Sequence, residues 1–140
     1  MATGQTLSYD EGRLRAALAQ AWSLETAKQW TPENPASGQC NVTAAVVFDL
    51  FGGDILRTRL PGVWHYYNRI DGARVDLTDS QFDAPGALFP RPDIYEDHVS
   101  TREAAMVGIP QREYDTLRQA LLARLAEAAG AGAVHRPTMG

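Results

Sequence analysis

The chain has 140 residues, a net charge of −4, and apolar and charged shares of 44% and 21%. That balance describes one soluble domain with a hydrophobic core and excludes a disordered chain. No apolar run approaches the roughly 20 residues of a membrane span, and no basic stripe marks a nucleic-acid partner.

No basic stretch followed by an apolar one opens the chain, so no secretory leader is expected. The single cysteine leaves no internal disulfide, and His65, His98 and His135 lack the spacing of a zinc set. A cytoplasmic domain without metal or cofactor is the expectation.

Residues 1–7 read as a loose start. Ser8 or Asp10 caps a helix over about 10–22, with Leu14, Ala17, Leu18, Ala21 and Trp22 on one face. Ser23 to Trp30 is ambiguous, and a short second helix capped by Ser23 is one reading. A loop rich in Pro, Asn, Ser and Gly fills 31–38. The next helix runs from Cys40 to about Phe51, stopped by Gly52-Gly53.

The period then changes. Residues 54–60 read as a strand, Pro61-Gly62 as a turn, and Val63–Ile70 as a strand rich in aromatic and β-branched residues. Asp71-Gly72 is a hairpin signal, with 73–78 as the returning strand. An irregular loop covers 79–92. Ser100 and Glu103 fit a capping box that opens a short helix. Pro110 starts a long final helix to about 129, with Tyr114, Leu117, Leu121, Leu122 and Leu125 inward. Residues 130–140 read as a disordered tail. The result is one α+β domain over 1–129, its antiparallel three-strand meander packed against the Cys40 helix.

Cys40 sits where loop gives way to helix. The positive end of the helix dipole and its free N–H groups favour thiolate there. A two-residue turn at 71–72 sets residue 70 opposite 73 and residue 67 opposite 76. His65 and Asp76 then lie diagonally on one sheet face, within reach of a ring side chain. An aspartate so placed holds the imidazole's tautomer and favours imidazolium, and the imidazole can activate Cys40. The candidate triad is therefore Cys40, His65 and Asp76. The Cys40 backbone N–H is one oxyanion donor, and Gln39 or the Trp30 indole is a candidate for the second. Asn68 and Gln81 are candidates for substrate positioning, although hairpin-edge and loop hydrogen bonding accounts for the same residue types.

The same segments carry a family resemblance. Gly38-Gln39-Cys40-x-Val42 resembles the nucleophile motif of transglutaminases, His65-Tyr66-Tyr67-Asn68 their H-x-x-N strand, and Val75–Gln81 their aspartate segment. This likeness, over about 38–81, implies a transglutaminase-like, papain-type fold. A wider pattern resembles the small bacterial YunG-like proteins across most of the chain. It comprises Trp22-Ser23-x-Glu25-Thr26, Trp30, Gly38–Ala44, Gly52–Ile55 and Asp76–Thr78.

The expected function is cysteine-dependent acyl transfer through a thioester, with hydrolysis or amine transfer at an amide, ester or thioester of a small molecule or peptide. The compact spacing, and the lack of a calcium loop or accessory domains, point away from protein cross-linking. Two rival readings keep the fold without turnover: a binding module for a small molecule or peptide, and a thiol-based redox or electrophile sensor.

Overall fold

The structure is a computed structural model that describes residues 7–135, with side chains described through residue 128. It is an α+β arrangement: two helices, an antiparallel sheet, and two further helices.

Helix α1 (Glu11–Ala21) starts at Asp10, whose carboxylate accepts from the Arg13 N–H at 2.9 Å. Its buried stripe of Leu14, Ala17, Leu18 and Ala21 lies against helix α4 (Gln111–His135). Residues 23–30 form turns rather than a second helix. The Ser23 carbonyl accepts from the N–H groups of Thr26 and Ala27 and from the Thr26 hydroxyl. This local bonding competes with helix propagation.

Helix α2 (Cys40–Phe51) is the centre of the molecule, with eight of its twelve residues buried. Such burial on every side needs cover all round. The sheet supplies it on one flank, α4 on another, and the short helix α3 (Arg102–Ala105) closes a third. Gly52 and Gly53 end α2 with φ of 80° and 78°. At Gly53 a Cβ would also stand 2.0 Å from the Arg69 carbonyl oxygen, so the site needs glycine on two counts.

The sheet has four strands in the order β3-β2-β1-β4, all antiparallel: β1 (Asp54–Leu60), β2 (Val63–Ile70), β3 (Ala73–Val75) and β4 (His98–Ser100). Asp71 and Gly72 both take positive φ, 53° and 81°, as a type I′ hairpin turn requires, and Ile70 pairs with Ala73. The register is the expected one.

Four expectations need correction. Strand β3 stops at Val75 rather than 78, because Asp76 Oδ1 accepts from the Thr78 N–H at 3.3 Å and bends the chain away from the ladder. The three-strand meander gains β4, which pairs Ser100 with Ile55. Ser100 therefore belongs to a strand, and α3 is capped one residue later by Thr101, which accepts from the Ala104 N–H at 3.0 Å. In addition, α4 continues to His135, past the expected end near 129, while 136–140 lie outside the described residues. Among the described residues no helix is long and apolar enough to cross a membrane.

Candidate active site

Alternation along β2 divides its side chains between two covered faces. Tyr66, Asn68 and Ile70 face α2, and Asn68 Nδ2 donates to the Ala44 carbonyl at 3.1 Å. His65 and Tyr67 face the segment 79–97, with Phe82 edge-on to His65 at 4.9 Å and Tyr95 edge-on to Tyr67 at 5.1 Å. His65 is only 1% exposed.

His65 Nε2 donates to Asp76 Oδ2 at 2.7 Å, in a pair buried on both sides. The diagonal geometry derived from the hairpin is present. The carboxylate is held at both oxygens: Oδ2 also accepts from the Tyr95 hydroxyl at 2.7 Å, and Oδ1 from the Thr78 N–H and hydroxyl. Arg74, which flanks Asp76 on β3, forms its ion pair with Asp97 instead. Burial, then the charge and hydrogen bond of Asp76, push the Tyr95 phenol well above its usual range, so it stays protonated and donates.

Nε2 being engaged, Nδ1 is the ring nitrogen left for the thiol. Burial alone lowers the His65 pKa. The hydrogen bond to Asp76, the hydrogen bond and charge of Cys40, and the charge of Asp76 outweigh it and push the value up to about 9. The thiol's well-formed hydrogen bond goes to Asn41 Oδ1 at 3.3 Å. Asn41 is itself fixed by Nδ2 donating to the Ala105 carbonyl of α3 at 2.8 Å.

Cys40 and His65 open onto a cleft of about 370 Å³. Trp64 forms part of its wall, braced by the guanidinium carbons of Arg57 and Arg59, each 4.0 Å from the ring centroid. Gln81 also lines the cleft, donating from Nε2 to the Thr78 hydroxyl at 2.9 Å. Asn34 ties the proline-rich loop to the same turn by donating to the Gln81 carbonyl at 3.1 Å.

Two of the proposed oxyanion donors are placed elsewhere. Gln39 is fully buried: its Oε1 accepts from the Thr26 hydroxyl at 2.8 Å, and its Nε2 points to the Ser23 carbonyl. It organises the 23–27 turn. The Trp30 indole packs against the main core, is not among the cleft residues, and has no hydrogen-bond partner among the described residues. Asn68 fastens the sheet to α2 rather than reaching the cleft. The first turn of α2 has no side-chain cap, which leaves its N–H groups beside Cys40 as the donors at hand.

Tyr95, Asn41 and the cleft residue Glu113 were not found by sequence reasoning. Tyr95 lies in an irregular segment with no periodicity, and Glu113 reads as an ordinary first-turn acid of a helix. Only the adjacency of Asn41 to Cys40 offered a signal. Among the described residues no group of three His, Cys, Asp or Glu side chains is placed to hold a metal.

The family model described as "YunG protein" matches residues 10–126. The chain is similar to "Uncharacterized protein YunG" of Bacillus subtilis (strain 168), with 42% identity over 104 residues covering 74% of this chain and 84% of that protein. No solved structure matches.

Proposed function

The chain belongs to the YunG family, and we propose that it is a cysteine-dependent acyl-transfer enzyme working through Cys40, His65 and Asp76 on a transglutaminase-like core. The observation that carries this reading is the buried 2.7 Å bond between His65 Nε2 and Asp76 Oδ2, with the imidazole perturbed by Cys40 beside an open cleft.

With the thiol proton resting on His65 Nδ1, the thiolate attacks the carbonyl carbon of an amide, ester or thioester. The oxyanion that forms is met by N–H groups of the first turn of α2. His65 returns the proton to the leaving group as its bond to carbon breaks, and a thioester on Cys40 remains. Water or an amine then gives a proton to Nδ1, attacks the thioester and releases the thiolate. Asp76 keeps Nε2 protonated throughout and offsets the imidazolium charge.

The test is acylation by p-nitrophenyl acetate, followed by nitrophenol release and intact mass. The expected result is one acetyl group on Cys40, further turnover, and a loss of about a hundredfold or more in His65→Ala. No acetyl-Cys40, or an unchanged rate in His65→Ala, would overturn the reading in favour of a binding module.

A further inference from the structure

Glu113 stands in the first turn of α4, where the helix dipole favours a carboxylate, and it also borders the cleft. It is 7% exposed and lines the cleft shared with Cys40 and His65, yet its carboxylate has no hydrogen bond or ion pair among the described residues. Its oxygens are not sealed from solvent, so the water of the cleft is what they meet, and a ligand that displaces this water takes their hydration away.

The usual local partner is ruled out by the sequence. Glu113 is the third residue of α4, where a glutamate reaches back to the N–H of the residue preceding the helix. That residue is Pro110, which has no N–H. Lys28 lines the same cleft but forms no ion pair with Glu113. The wall between is largely apolar, with Leu60, Val63, Trp64, Phe89 and Ile109. A substrate filling this space and displacing water has to supply the carboxylate with a donor.

We infer that Glu113 is the recognition site for a protonated amine, so that the cleft takes a compound in which an alkylammonium group is joined to an apolar segment. This rests on the acyl-transfer reading only for what the bound compound then does at Cys40. The ammonium belongs either to the acyl donor or to an acceptor that carries it apart from a second, unprotonated amine that attacks the thioester, and its binding chemistry is the same in both.

The first test needs no catalysis. Cys40 is labelled at about neutral pH with methyl methanethiosulfonate and its 2-aminoethyl and 2-sulfonatoethyl counterparts, each rate divided by that of a small neutral thiol. The wild type is expected to favour the ammonium reagent over the neutral one, and Glu113→Gln to lower that ratio about tenfold. Because it compares reagents at one thiol, the ratio does not depend on how His65 activates Cys40. In the wild type, n-butylammonium is expected to protect Cys40 from the neutral reagent in a saturable way, whereas n-butanol and butyrate are not. A ratio indifferent to Glu113→Gln, or equal protection by all three, would overturn the assignment.

Two catalytic arms separate the sources. Faster acylation by p-nitrophenyl glycinate than by the acetate places the ammonium on the donor, and faster release of acetyl-Cys40 by 1,4-diaminobutane than by n-butylamine places it on the acceptor. A Glu113-dependent labelling ratio with neither effect supports the ammonium site and counts against acyl transfer.

Discussion

Asp76 is the residue on which the site's electrostatics turn. Its two oxygens accept from His65, Tyr95 and both donors of Thr78, so the carboxylate is held in one orientation by the fold itself. The raised pKa of His65 has a consequence for stability. The unfolded imidazole titrates near 6.5 and the folded one at about 9. The folded state therefore binds the proton more tightly. The resulting stabilisation is fully present below about pH 6.5 and is lost as pH rises through about 9, on the order of 3 kcal/mol in all. Urea denaturation at a series of pH values should show this decline, and Asp76→Asn should flatten it. A wild-type stability that is level or rising over that window would contradict the assignment. Tyr95→Phe removes one donor and leaves the His65 bond in place. It should destabilise the fold by about 1–2 kcal/mol and slow Cys40 acylation far less than His65→Ala does.

At the scale of elements, the hairpin was the most legible part of the chain. Asp71-Gly72 fixes a two-residue turn, the turn fixes the register, and the register puts His65 and Asp76 together. Strand β4 was not legible. It is three residues long, its Val99 is exposed, and it follows Asp97 at positive φ, so no alternation announces it. The end of β3 was misjudged for a related reason: the side chain of Asp76 binds its own backbone two residues on, which an alternation pattern does not register. The junction of α2 and β1 makes a sharper prediction. Gly53→Ala meets the Arg69 carbonyl and a positive φ together, and should cost about 3 kcal/mol or more. Gly62→Ala has a positive φ and open space, and should cost only about 1 kcal/mol. Equal losses in chemical denaturation would show that the close approach at Gly53 is not decisive.

At the scale of the whole molecule, the cleft is assembled by parts far apart in the chain. Asp49 of α2 binds Arg102 of α3 and the Tyr114 hydroxyl of α4, which joins three helices at one carboxylate. Through α3 this joint also supports the Ala105 carbonyl that orients Asn41 beside the thiol. The placement of Tyr95 and Glu113 is a property of this assembly. Each reaches the site from a segment whose local pattern says nothing of its neighbours, and long-range packing alone brings it there. The misplacement of Gln39 and Trp30 has the same origin. Gln39 adjoins Cys40 in sequence, yet its side chain turns to Thr26, and the Trp30 indole packs against the core, so neither lines the cleft.

The claim that Cys40, His65 and Asp76 act as one unit is tested most directly by the rate of Cys40 alkylation by iodoacetamide across pH. It should be measured in the wild type, His65→Ala and Asp76→Asn. The account predicts wild-type reactivity at about pH 6 that falls at least tenfold in His65→Ala and by a smaller factor in Asp76→Asn, with the three rates converging near pH 9–10. Superimposable profiles in all three proteins would contradict it.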